Sequence, residues 1–134
     1  MIERKNVNWG FKKLRVWDDA VELYILTCKH LIPFPYELKK VSANCIDAAQ
    51  SISRNIAEGY SRKSLKEYLY FCNIALGSSG EYHSCICSFL RAGHITDEVL
   101  ESIDDLHFKM ENELIQLIKS LQVKLKQGNW DDQL

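Results

Sequence analysis

The sequence predicts an all-α protein, an antiparallel up-down-up-down four-helix bundle, and three observations lead there. Apolar residues recur at alternating steps of three and four through four long segments, the spacing that gathers side chains on one face of a helix. No run of β-branched residues with a period of two occurs, so no strand is expected. Breaks fall between the segments: Pro33 and Pro35 sit in the stretch LIPFPYE, and glycine-containing turns lie at 59–61 and 92–96.

The first helix is predicted over about 17–31, with Trp17, Val21, Tyr24, Cys28 and Leu31 as its apolar stripe. Asp18 and Asp19 suit the positive end of its dipole. The prolines then force a turn, because proline removes a helical hydrogen bond and biases its predecessor toward extended backbone. The second helix, about 37–59, carries Val41, Cys45, Ala48, Ile52, Asn55 and Gly59, a stripe widened by Ala49 and Ile56. Gly59 is its expected stop. In the third, about 64–92, Ser64 followed by Glu67 is a capping-box pattern and Gly93 closes the helix. Its apolar set is Leu65, Leu69, Cys72, Leu76, Tyr82, Ile86 and Phe89. The fourth, about 96–127, opens on Thr96 as cap with Asp97 and Glu98 in its first turn, and Leu100, Ile103, Met110, Leu114, Leu117, Leu121 and Leu125 form its seam. Residues 128–134 read as a frayed tail. Short connections make successive long helices antiparallel, in one domain.

Composition agrees with a globular chain: 134 residues, 46% hydrophobic and 26% charged, are neither disordered nor membrane-embedded in pattern. No apolar run reaches the roughly 18 residues of a membrane span, and the opening MIERKNVNWG lacks a secretory apolar core. The cytoplasm is the expected address. Five cysteines, Cys28, Cys45, Cys72, Cys85 and Cys87, are odd in number and show no CxxC spacing. They are expected to be reduced and to act as small core hydrophobes.

Net charge is −1, but it is unevenly spread. Residues 1–66 hold 12 Lys/Arg and 7 Asp/Glu, and residues 67–134 hold 5 and 11. A basic first half is a candidate nucleic-acid footprint, or a surface that attracts the acidic half of a neighbouring copy, or simply a solvated face. Its candidate contacts are Lys12, Lys13, Arg15, Lys39, Lys40, Arg54, Arg62, Lys63 and Lys66.

Other candidates have structural readings. Asn55 interrupts an apolar seam and must find polar partners, which can fix register or oligomeric state. Arg54, Glu58 and Arg62, four residues apart, form either a charged recognition strip or an ion-pair ladder. His83 and Cys87 share a helix face, but Cys85 points elsewhere and no fourth ligand is evident, so no metal site is expected. The GSSG at 77–80 lacks the lysine and preceding strand of a phosphate loop and is expected to permit close helix packing. Phe11, Val16 and Trp17 are expected to plug one end of the bundle. Catalysis would need titratable groups converging across helices, such as His83 or His107 with Glu58.

Three motifs carry a resemblance. FKKLRVW (11–17) resembles F-x-x-L-x-V-W, SISRNIAEG (51–59) resembles SI-x-x-NIAEG, and YLYFCNIALGS (68–78) resembles F-L-x-F-L-x-I-A-x-GS followed by Glu81. Together they make the chain, over about 11–125, similar to the bacterial four-helix bundle proteins encoded in intervening sequences of 23S ribosomal RNA genes. These are related to the accessory variability proteins of diversity-generating retroelements. Gly80 replaces the usual leucine before the glutamate, and the acidic second half departs from the basic relatives. The resemblance implies a ring, a homopentamer, with relatives that bind nucleic acid and a reverse transcriptase. It also places Asn55, Glu58 and Arg62 in the family signature, as subunit or helix-end contacts.

The sequence therefore leads to a non-enzymatic, self-assembling bundle that binds RNA or a ribonucleoprotein, with a ring-forming scaffold for a protein partner as the alternative. No cofactor, metal, small-molecule substrate or membrane contact is expected.

Overall fold

The computed structural model describes residues 7–128. After a 3₁₀ segment, Val7–Lys13, come α1 (Arg15–Leu31), a 3₁₀ turn at Tyr36–Leu38, α2 (Lys39–Tyr60), α3 (Leu65–Arg91) and α4 (Asp97–Gln127). No strand occurs among the described residues. Each helix packs on two others, in the cyclic order α1, α2, α3, α4, with α2 against α3 the most extensive pairing. This is the up-down-up-down bundle of the sequence expectation. No helix among the described residues is long and apolar enough to cross a membrane.

Capping residues do what their chemistry predicts. The Ser64 hydroxyl accepts from the Glu67 amide at 3.4 Å, and the Thr96 hydroxyl accepts from the Val99 amide at 3.2 Å. Gly93 has φ 80° and ends α3. Its amide donates to Leu90 O at 3.0 Å while the His94 amide donates to Phe89 O at 2.8 Å, the paired reverse bonds that need a left-handed residue. Gly128, with φ 66°, ends α4 in the same region of backbone space, so residue 128 belongs to a formed cap, while 129–134 of the expected tail lie outside the described residues.

The core differs from the sequence stripes in several places. Leu76, Leu100 and Leu117 are half-buried, with Ala75 and Ile118 buried beside two of them. On α1 the buried line is Val16, Ala20, Leu23, Thr27 and Leu31, so the helix is rotated by one residue and Trp17, Val21, Tyr24 and Cys28 are half-buried beside it. Val41 is exposed, because Ser42 and Cys45 take the buried register at the start of α2 and turn Val41 outward. Leu125 is exposed near the end of α4. Ile52, Ile56, Ile86, Ile103, Met110 and Leu114 are fully or almost fully buried, as expected of the seams.

Two glycine expectations also change. Gly59 does not stop α2, which runs on through Tyr60. It is buried against α3: a Cβ there would lie 2.9 Å from Phe71 Cβ and 3.1 Å from the Tyr68 carbonyl oxygen. Gly77 and Gly80, by contrast, face open space, so close packing does not explain the GSSG segment. Its serines are the packed members: Ser79 is buried, and Ser78 bonds Ser51 of α2 at 2.9 Å.

Gly59→Ala is expected to push α2 from α3 and lower stability by about 1–3 kcal/mol, as overpacking does. Gly77→Ala, with room for its methyl, should raise stability by about 1 kcal/mol through helix propensity. Urea midpoints of the two variants, moving in opposite directions, check the assignment.

Candidate interaction surface

The antiparallel course decides which basic residues meet. One end of the bundle holds the start of α1, the end of α2 and the start of α3, and so collects Lys12, Lys13, Arg15, Arg62, Lys63 and Lys66. All six are exposed. Lys39 and Lys40 start α2 and therefore sit at the opposite end, about 30 Å away at 1.5 Å per helical residue. Lys39 lies over the Tyr36 ring there, 5.6 Å from its centroid. Arg54 is exposed two turns inside α2. The nine candidates thus form one cluster with Arg54 near it and a distant pair.

Beside the cluster runs an open groove of about 440 Å³ between α1 and α2, lined by Phe11, Trp17, Val21 and Tyr24 on one side and Arg54 and Glu58 on the other. The half-buried strip of α1 forms its floor. Phe11 and Trp17 meet edge to face with centroids 5.2 Å apart and stay half-buried along this groove, while Val16 is buried in the core.

The signature residues are tied to their surroundings. Asn55 Nδ2 donates to Ser51 O at 2.8 Å and to Ser51 Oγ at 2.9 Å. With the Ser51–Ser78 bond this makes a short polar relay from α2 to α3. Arg62 donates to Glu58 at 2.6 Å and reaches Glu67 of α3 at 3.5 Å, with its guanidinium over the Phe71 ring. The ladder holds only at that rung, because Arg54 turns back to Gln50 and Asp47. Exposed pairs of this kind contribute at most about 1 kcal/mol. Their value is in positioning the turn between α2 and α3.

The cysteines divide. Cys45 and Cys72 are buried core hydrophobes, the thiol of Cys72 pushed up to about 12 by burial. Cys28, Cys85 and Cys87 are only half-buried, which corrects the expectation that all five fill the core. Cys85 turns toward Cys45, whereas Cys87 Sγ lies 3.5 Å from His83 Nε2.

Two polar clusters escaped the sequence reading. Between α3 and α4, Ser79 meets His107 and Glu111. Both buried members fall on apolar registers, 72/75/79/82 and 103/107/110/114, and that registration was the available signal. The trio does not make a nucleophile. Ser79 is fully buried and its proton goes to Glu111, not to the imidazole. Glu58 faces the α1–α2 groove, so it does not converge with His83 or His107 on the α3–α4 side.

The second cluster joins α1 to α4 near the basic end. Asp19 and Glu113 face each other, and Asp19 Oδ2 and Glu113 Oε1 are buried without a hydrogen-bond donor. Lys109 lies 3.4 Å from Asp19, and Arg15 lies 3.9 Å from Glu113. Burial first, then the hydrogen bond and the negative charge of Asp19, push Glu113 up from 4.5 to about 7 against the pull of Lys109 and Arg15. Protonating Glu113 supplies the donor that the pair lacks.

These features define a class first: an up-down four-helix bundle. The chain matches the 23S rRNA-intervening sequence protein family over residues 12–120, and it belongs to that family. It is also similar to a crystal structure from Bacteroides thetaiotaomicron, a protein of unknown function from the S23 ribosomal protein family. That likeness has a TM-score of 0.72 and 26% identity, and covers 78% of this chain and 95% of the other. No functionally curated protein matches the chain.

Because folding raises the affinity of Glu113 for its proton, this group's contribution is complete below about pH 4.5 and is lost as pH climbs to about 7. Thermal melts should therefore show stability falling between pH 5 and pH 8. Glu113→Gln, a permanent neutral donor to Asp19, should flatten that slope.

Proposed function

We propose that the protein is a non-enzymatic, self-assembling cytoplasmic bundle that binds RNA or a ribonucleoprotein through its basic end. One observation carries this reading: chain returns bring six exposed cationic side chains together at one end of the bundle. Clustered lysines and arginines gain affinity for phosphate by releasing counterions. Membership in a family named for 23S rRNA intervening sequences supports an RNA partner.

The same reading takes the assembly to be a homopentameric ring. A ring needs two different patches that fit each other. One is the α1–α2 groove. The other is the strip of α3 where Tyr70 and Ile74 are exposed above the bare Gly77. Asn55, Glu58 and Arg62 lie along the α2 side of the α2–α3 turn, where they serve as subunit contacts. A second reading, a ring that scaffolds a protein partner, is favoured by the exposed ring of Phe108 on α4, which neither patch uses.

Affinity for labelled single-stranded RNA, measured on the assembled protein, is expected to fall about fiftyfold between 50 and 200 mM salt if about four phosphates are neutralised. The double variant Lys63→Glu with Lys66→Glu should weaken binding and flatten the salt slope. Lys39→Glu with Lys40→Glu, at the far end, should change neither. No binding to single-stranded or structured RNA at low salt would sink the RNA reading and leave the scaffold.

Light scattering tests assembly separately. Arg62→Glu should reduce the mass of the particle while circular dichroism keeps full helix content. A ring of undiminished mass would remove the signature from the subunit contact.

A further inference from the structure

α3 and α4 face each other across two polar rows set about one helical turn apart. Ser79, His83 and Cys87 stand on α3, and Asp104, His107 and Glu111 stand on α4. The Ser79 hydroxyl donates to Glu111 Oε2 at 2.5 Å. Having given its proton to a carboxylate, Ser79 Oγ accepts from His107 Nε2, which is 2.9 Å away. The same nitrogen faces the Ser79 carbonyl oxygen at 3.2 Å, an acceptor that has no proton to offer. His107 Nε2 therefore carries the hydrogen, and in the neutral ring the lone pair is on Nδ1. A chain of hydrogen bonds ending on a carboxylate fixes this tautomer, as it does for histidines that ligate metals.

Next to that ring is a second. His83 stacks on His107 with centroids 5.0 Å apart and planes at 17°, and His83 Nδ1 lies 3.8 Å from Asp104 Oδ1. One donor atom each from His83, Asp104 and His107 lies within 4.8 Å of the other two. Two imidazoles and a carboxylate from facing helices are a donor set suited to divalent ions of the zinc type.

We propose that His83, Asp104 and His107 form a binding site for such an ion, with Ser79 and Glu111 positioning His107. Donors around tetrahedral zinc are about 3.3 Å apart, so the set must contract and the His83 ring must tip out of the stack to aim its lone pair inward. The exposures permit this: the side chains of His83 and Asp104 are 46% and 52% exposed, while that of His107 is 6% exposed and held. Three protein ligands leave a fourth position to water. The ion would pin α3 to α4 in the half of the bundle away from the basic end, so this proposal is independent of the RNA reading. Cys87 offers the competing arrangement, since it touches the other nitrogen of His83.

The test uses the full chain, stripped with chelator and kept reduced, titrated with Zn²⁺ alone by calorimetry and with Co²⁺ by absorption. One equivalent per chain and a raised melting temperature are expected. His83→Ala and Asp104→Asn, both at half-exposed positions, should each lower affinity at least tenfold without lowering the metal-free melting temperature appreciably. Glu111→Gln should lower it by about tenfold through the tautomer of His107, and Cys87→Ser should leave it unchanged. Affinity unaffected by His83→Ala, affinity lost in Cys87→Ser with a thiolate band in the cobalt spectrum, or no binding below millimolar Zn²⁺ would each overturn the site.

Discussion

The bundle depends on satisfying the polar groups that it buries in its middle. Tyr82 is completely enclosed, and its hydroxyl donates to Thr27 of α1 at 2.6 Å, since Thr27 spends its own proton on Leu23 O. The Tyr82 ring stacks on His107 of α4, and His107 is bonded to Ser79, one turn before Tyr82 on α3. A hydroxyl or imidazole left unpaired at such depth costs about 1–3 kcal/mol, so a slip of any helix by one turn would strand several of these groups at once. Apolar seams alone tolerate neighbouring registers. The polar layer through Thr27, Tyr82, His107 and Ser79 selects one.

That layer also explains the rotation of α1. Two stripes compete on this helix: large rings and Val21 on 17/21/24, and smaller side chains on 16/20/23/27. Size favours the first when the sequence is read alone. In the bundle, Tyr82 reaches across from α3 and needs a hydroxyl partner on α1, and only the stripe holding Thr27 supplies one. Ala20, fully buried, keeps that stripe slender. The rings are displaced to the α1–α2 groove, where they stay half-exposed.

The fold was legible because it follows from periodicity and caps, which are local. Ser64, Gly93 and Thr96 each carry out the role that their neighbours in sequence assign. The candidate surfaces were legible only in part, because adjacency across helices is not local. Lys12 and Lys66 are 54 positions apart yet belong to one end, whereas Lys39 and Lys12, closer in sequence, are at opposite ends. His83 was weighed with Cys85 and Cys87 because they are near in sequence, while its stacked partner, His107, comes from the next helix. Helical spacing shows which residues share a face but not which face of the neighbour meets them.

The uneven charge acquires a meaning that the linear sequence does not have. α1 and α2 themselves hold five Lys/Arg and five Asp/Glu, so the cationic excess of the first half does not lie along their sides. Among the described residues it comes from Lys12, Lys13, Arg62 and Lys63, with Lys66 at the start of α3, all at one end of the bundle. The polarity is therefore axial. Axial polarity survives assembly into a ring, because every copy presents its end to the same rim. On the proposed ring, a modest cluster on each chain becomes a continuous crown of cations, and a polyanion would meet the sum of the copies rather than one. A chain with a net charge of −1 can in this way present a strongly basic surface.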